Sequence, residues 1–181
     1  VIKVLCILNA IIINQSKMKF HYLILIILLF GCANNKSDVT IVTFDDEKTK
    51  SIRSHYQNYL DNNIEGLKSL WSPNLKIYLT ETKKSGVEDI SNLIIAQHKC
   101  FSEIPSFLED AIIETKTYPN GNTWTSSWFI WKATSSVSGN TISIPVHIGF
   151  KWGEGNKIVE EYHMYNTKLM EEELALCSGA L

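Results

Sequence analysis

The chain has no short motif that commits it to a metal or cofactor. Across its 181 residues there is no HExxH, no CxxC and no comparable cluster of histidine, cysteine and carboxylates, so neither a structural nor a catalytic metal is expected. No glycine-rich phosphate loop follows a strand, because Gly153 and Gly155 belong to a hairpin connection, and there is no GxSxG nucleophile elbow. The formal charge is only -2, with basic residues scattered along the chain. That pattern removes the usual electrostatic basis for binding nucleic acid. Internal repeats and low-complexity tracts are also missing.

What is present begins with an apolar run, Tyr22 to Phe30 (YLILIILLF). It is about half the roughly 20 residues that a spanning helix needs. Met18-Lys19-Phe20-His21 precedes it and Gly31-Cys32 follows, the charged start and small-residue end of a secretory signal. Residues 1–17 lie ahead of the natural-looking start at Met18 and read as an over-extended translation start. Leu29-Phe30-Gly31-Cys32 resembles the lipobox of bacterial lipoproteins, although Phe30 is bulkier than the residue usual there. The resemblance implies cleavage of an 18–31 signal peptide and attachment of acyl chains such as palmitate to Cys32, leaving the protein anchored on a membrane. Ala33 is not the aspartate that retains some lipoproteins at the inner membrane, which favours the outer membrane facing the periplasm. Residues 32–40 then form the lipidated cysteine and a polar tether, and residues 41–181 suffice for one folded domain.

Cys100 and Cys177 are the cysteines of that domain. An exported protein can oxidise such a pair, and plain packing of two thiols is equally compatible with the sequence.

The domain reads as helices first and sheet later. Ile52, Tyr56, Tyr59 and Leu60 recur at helical spacing after Asp45-Asp46-Glu47, and Asp61-Asn62-Asn63 ends that helix. A second short helix spans Ile64 to Trp71, and Leu75 to Leu79 alternates as a strand. Ile90, Leu93, Ile94, Gln97 and Phe101 mark one face of a third helix ending near Ile104. Four extended segments follow, Leu108 to Tyr118, Thr123 to Ser135, Thr141 to Trp152 and Lys157 to Thr167, and Leu169 to Leu176 forms a closing helix. The expected fold class is α+β, with a strongly bent antiparallel sheet wrapped against three helices as a cone.

A two-residue turn at Gly139-Asn140 would pair Phe129 with Phe150, Trp131 with Ile148 and Ala133 with Val146. Phe129 and Trp131 would then share a buried face with Ile142, Ile144, Val146, Ile148, Phe150 and Trp152. The opposite face would carry Trp124, Trp128, Ile130 and His147. Two tryptophans facing outward suggest a contact surface, most simply for a homodimer through the sheet face. In the last strand the row Ile158, Glu160, Tyr162, Met164 and Asn166 is the more apolar and is expected to face inward. A slip of one residue would instead bring in Val159, Glu161, His163 and Tyr165.

The helix pair SIRSHYQNYLDNNIEGLKSLW, the Gly86-Val87-Glu88-Asp89-Ile90 opening of the third helix and the ending Asn156 to Asn166 (NKIVEEYHMYN) resemble the nuclear transport factor 2-like superfamily, particularly its SnoaL-like branch. The resemblance spans nearly the whole domain. It implies an apolar cavity between sheet and helices, often a dimer through sheet faces, and either small-molecule chemistry or plain binding, because this fold hosts both. The branch commonly ends its last strand in a motif resembling Tyr-Trp-Asp. Met164-Tyr165-Asn166 stands there instead, and an amide cannot exchange a proton as a carboxylate does. Asn166 could still orient a ligand.

The one close cluster suited to proton transfer is Glu160, Glu161 and His163, which could equally be a solvated strand edge. Tyr56 and Tyr59 share a helix face and could point hydroxyls toward a ligand beside Phe129, Trp131 and Tyr162, or could simply pack. His147 lies on the parity of the outward face. Two functions remain open at this level, and the first is preferred because the sequence shows no complete acid/base set. The domain binds a small apolar ligand or a protein partner, or it is an isomerase, dehydratase or hydrolase using a pocket carboxylate or a Glu-His pair.

Overall fold

The computed structural model describes residues 38–79 and 84–179. The apolar run, the Leu29–Cys32 motif and most of the tether lie outside the described residues.

Helix α1, Glu47–Leu60, starts where Asp46 accepts the Thr49 amide at 2.7 Å while the Thr49 hydroxyl accepts the Asp46 amide at 2.9 Å. This reciprocal cap satisfies two amides that the first helical turn leaves without intrahelical partners. Asn62, with φ of 52°, turns the chain, and Asn63 caps helix α2, Ile64–Leu70, through the Gly66 amide. Strand β1 (Ile41–Thr43) precedes these helices; β2 (Trp71–Tyr78), β3 (Lys84–Ser85) and helix α3 (Val87–Cys100) follow. The expected extension of α3 to Ile104 does not occur. Phe101 turns out of the helix into β4 (Phe101–Glu103) and pairs with Ser135 of β6 (Thr123–Ser135). Strands β5 (Ile112–Thr117), β7 (Thr141–Trp152) and β8 (Ile158–Met164) complete the sheet, and helix α4 spans Lys168–Ser178.

The strands form one bent sheet in the order β1-β5-β6-β7-β8-β2-β3, with β4 also on β6. Among the described residues four helices accompany it, the three of the expected cone and the closing one. The sheet is mixed rather than wholly antiparallel, since β2 runs parallel to β8 through Ile77–Glu161 and Tyr78–Tyr162. No hairpin joins those two strands, so nothing local dictates their relative direction.

The β6–β7 hairpin has a different register from the one a two-residue turn would impose. Phe129 faces Val146 and Trp131 faces Ile144. Ser135 and Asn140 close the strands and leave Ser136 to Gly139 as the loop, with Gly139 at φ of 74°. Glu173 of α4 fixes this longer loop by accepting from the Ser138 hydroxyl at 2.7 Å and the Asn140 amide at 3.1 Å. Because the slip is even, every residue keeps its expected face. Phe129, Trp131, Ile144, Val146, Ile148, Phe150 and Trp152 are buried, whereas Trp128 and Ile130 are exposed.

In β8 the expected inward row is overturned beyond Ile158. Trp152 pairs with Ile158 but Lys151 pairs with Glu160, which makes Val159 an extra residue in the strand. Such a bulge reverses the alternation that follows it. Glu161 and His163 therefore turn inward with Ile158, while Glu160, Tyr162 and Met164 turn outward. Gly153 makes room for the bulge, since a Cβ there would stand 2.4 Å from Val159 Cγ1.

Cys100 at the end of α3 is disulfide-bonded to Cys177 near the end of α4, with Cα atoms 5.7 Å apart. The bridge closes a 77-residue separation and so restricts the unfolded chain considerably. Cys177→Ser is expected to lower the unfolding free energy by about 2–4 kcal/mol. Denaturant midpoints of the oxidised wild type and the variant measure this, and identical midpoints would refute a stabilising bridge.

Candidate functional site

The inner face of the sheet and the inward stripes of α1, α3 and α4 do not close completely on one another. They leave a cavity of about 90 Å³ whose wall includes Phe129, Trp131, Ile148 and Phe150 from the sheet, Tyr56 from α1, Ile90 and Ile94 from α3, and Met170 from α4. At roughly 10–15 Å³ for each water this is room for about six to nine waters, enough for a single ring or a short chain.

The most polar feature of this wall is Glu161, which is 2 % exposed. The Trp71 indole donates to its Oε1 at 2.6 Å, and His163 Nε2 lies 2.8 Å from its Oε2. Trp71 begins β2 and reaches Glu161 across the parallel β2–β8 pairing, whereas Glu161 and His163 lie two apart on one strand face. An imidazole that donates Nε2–H to a carboxylate keeps its free lone pair on Nδ1. His163 Nδ1 is buried and has no hydrogen-bond partner among the described residues. The arrangement holds a base in one tautomer and places a carboxylate where an imidazolium would form.

The other polar groups on the wall are largely satisfied. The Tyr56 hydroxyl is 2.5 Å from Ser127 Oγ, which also donates to the Ile148 carbonyl. The Tyr59 hydroxyl accepts from the Trp131 indole at 2.8 Å and donates to Gln97 Oε1 at 3.0 Å. Burial pushes both phenols well above the usual tyrosine range because the phenolate loses its solvation. Tyr165 is pushed up to about 12 by burial, reinforced by Glu161 and Glu171. These tyrosines serve as neutral hydrogen-bonding groups. Phe107, held beside α1 where Arg53 donates to the Leu108 and Ala111 carbonyls, stacks on Phe129 at 4.0 Å.

His55 completes the wall. It is 5 % exposed, with its ring edge-on to Trp71 at 5.3 Å and to Phe150 at 6.2 Å. Burial lowers its pKa to about 4, outweighing the attraction of Glu161, and His163 acts in the same direction as burial.

Of the residues singled out in the sequence, Glu161, His163, Tyr56, Tyr59, Phe129 and Trp131 meet at this cavity. Three others do not. The bulge sends Glu160 outward to Lys151 at 3.2 Å and sends Tyr162 outward to stack on Tyr78 at 4.5 Å. Asn166 is exposed and accepts the Lys168 amide at the start of α4, while Tyr165 reaches the cavity in its stead. His55 and Trp71 were not foreseen as parts of the site. His55 extends the Ile52, Tyr56, Tyr59 stripe by helical spacing and was detectable there; Trp71 carries no such signal because its partner is 90 residues away.

Ile112, Trp128, His147 and Met164 are successive partners across β5 to β8 on the opposite face. His147 stacks on Trp128 at 4.4 Å and its Nδ1 lies 2.9 Å from the Ser127 carbonyl oxygen. Trp124 is partly covered by Tyr162 and by Lys151. Among the described residues no cluster of three or more potential metal ligands occurs.

No protein-family model matches the chain, and no curated protein matches it. Solved structures do. A proposed polyketide cyclase from Xanthomonas campestris is similar over 70 % of this chain and 96 % of its own, with 10 % identity and a TM-score of 0.54. A proposed SnoaL-like polyketide cyclase from Jannaschia is similar over 73 % and 94 %, with 8 % identity and a TM-score of 0.53. A nuclear transport factor 2-like protein of unknown function from Burkholderia pseudomallei covers 72 % and 98 %, with 12 % identity and a TM-score of 0.50. At such identities the likeness establishes an α+β, nuclear transport factor 2-like fold and nothing of the chemistry.

The His55 pKa has a consequence for stability. Its folded value near 4 lies below the usual value of 6.5, so between those pH values the unfolded chain binds the extra proton and stability is lost as pH falls. The contribution approaches about 3 kcal/mol by pH 4. Unfolding free energies measured at pH 7 and pH 4 should fall more for the wild type than for His55→Leu by roughly that amount. Equal losses would rule out a buried, neutral His55.

Proposed function

We propose that the domain is a small-molecule isomerase or lyase that moves a proton with the Glu161–His163 pair. This revises the preference for a plain binding module, and the observation that carries it is the state of His163. Its Nε2 is committed to Glu161, Glu161 Oε1 is committed to Trp71, and Nδ1 is buried without a partner among the described residues, on a ring that lines the cavity. A ring held only for packing would not require a buried carboxylate beside it, since burying that charge costs several kcal/mol before its hydrogen bonds are counted.

In the proposed step, Nδ1 takes a proton from a carbon beside a substrate carbonyl, and the electrons of that C–H bond delocalise onto the carbonyl oxygen. The resulting imidazolium is stabilised by Glu161. Return of the proton to a different carbon completes an isomerisation; its transfer to a departing hydroxyl completes a dehydration. Ring closure of a polyketide needs a carbanion of the same kind, so the names borne by the Xanthomonas and Jannaschia structures are compatible with this reaction class. The cavity volume favours a smaller substrate.

Solvent-deuterium incorporation into cyclohexanone, acetophenone and 2-butanone, followed by proton NMR, tests the step. The wild type is expected to accelerate exchange, and Glu161→Gln and His163→Gln to reduce the acceleration by roughly 10²–10⁴-fold. Exchange at the buffer rate for every ketone, together with an unaltered apolar molecule extracted from the purified protein, would favour the binding module instead.

The cellular setting belongs to the same proposal. The lipobox-like Leu29–Cys32 supports a lipid anchor on a bacterial envelope membrane. No helix among the described residues is long and apolar enough to cross a membrane, and an acyl anchor does not require one. Cys32→Ser is expected to move the full chain from the membrane fraction to the aqueous fraction, and retention of the variant on membranes together with a Cys32 without lipid in the wild type would refute the anchor. The apolar row Ile112, Trp128, Met164 supports pairing of two sheet faces. Sedimentation equilibrium should report a dimer for the wild type and a monomer for Trp128→Glu; a monomeric wild type removes the dimer.

A further inference from the structure

Beside the Glu161–His163 pair a second imidazole of the cavity wall, His55, is without a task. His55 makes no hydrogen bond to any described residue, and its Nδ1 is fully buried without a partner. A neutral imidazole presents one donor and one acceptor. Leaving such groups unmet in an apolar wall is unfavourable, and a leucine or phenylalanine at this point of the α1 stripe would pack without that penalty. Apart from the Tyr165 hydroxyl, the neighbouring polar groups are already paired. Tyr56 is engaged by Ser127, Tyr59 by Trp131 and Gln97, and Glu161 by Trp71 and His163. Besides that hydroxyl, the unmet capacity lies on two imidazole rings, one from α1 and one from β8, which approach the same indole and carboxylate. His55 meets the Trp71 ring, and the Trp71 N–H meets Glu161, which meets His163.

We propose that His55 is a specificity-determining residue: the cavity takes a neutral single-ring or short-chain compound with two hydrogen-bonding groups, an O–H or N–H donated to His163 Nδ1 and a second group held by His55. The inference rests on reading the Glu161–His163 cavity as the ligand site. Burial holds His55 neutral near neutral pH, so it offers a hydrogen bond without a charge. An anion would meet the Glu161 carboxylate in a confined apolar space, which disfavours acids of the same size.

Titration calorimetry of the full chain with catechol, resorcinol, phenol, toluene and benzoate separates the components. The better of the two diols is expected to bind at least tenfold more tightly than phenol, phenol more tightly than toluene, and benzoate more weakly than phenol. His55→Leu should bring the diol to the phenol level while leaving toluene unchanged, and His55→Gln should recover part of the difference. Equal affinities of diols and phenol for the wild type would overturn the proposal without reference to any variant. So would tighter binding of benzoate, or an equal loss of all ligands in both variants. If toluene and phenol also fail to bind the wild type, the cavity reading itself falls, and this inference falls with it.

Discussion

A carboxylate held in an apolar interior is the constraint around which the rest of the domain is arranged. Glu161 is almost entirely withdrawn from solvent, and a buried charge persists only where hydrogen bonds replace its lost hydration. Its two donors come from different parts of the chain. Trp71 stands at the start of β2, and His163 lies two residues along β8. Meeting both requires that β2 run parallel beside β8 and that Val159 bulge, because either an antiparallel β2 or a regular β8 would turn one partner away. Gly153 accommodates that bulge through the absence of a side chain.

The apolar shell makes the carboxylate consequential. Phe107, Phe129 and Tyr56 pack ring against ring on one side, and Met170 of α4 covers another, with the Gln97 amide 2.9 Å from its sulfur. The position of α4 is in turn secured at two points. The Cys100–Cys177 bridge holds it to α3, and Glu173 grips the β6–β7 loop through Ser138 and Asn140. The hydrogen bonds from Ser138, Ser135 and Asn140 also keep the Glu173 carboxyl below its usual range, as expected for an anion that accepts several donors. Ordinary core packing and a small number of paired polar groups thus maintain a cavity that simple collapse would fill.

Much of the fold was legible from local patterns. The α1 stripe with its acidic start and the two faces of β6 and β7 follow from spacing, and the buried row from Phe129 to Trp152 withstood a register different from the expected one because the slip was even. The assignment of Glu160 failed for an equally physical reason. Alternation along β8 treats each residue as one step, and a single bulge inverts everything beyond it. The exchange of Asn166 for Tyr165 at the cavity has the same origin. The likeness to cyclase structures confirms the fold, while the identities of 8–12 % leave the chemistry to the site.

The amino-acid sequence by itself determined the helices, the strands β2 and β5 to β8, the apolar faces of β6 and β7, and the expectation of a lipid-bearing Cys32, because all of these depend on residues near one another in the chain. Only the tertiary structure decided that Trp71, Glu161, His163 and His55 share one cavity, that Glu160 does not, and that Cys100 and Cys177 are joined. Those outcomes depend on pairings between distant segments, on a bulge that local periodicity does not announce, and on the need of one buried carboxylate for two donors.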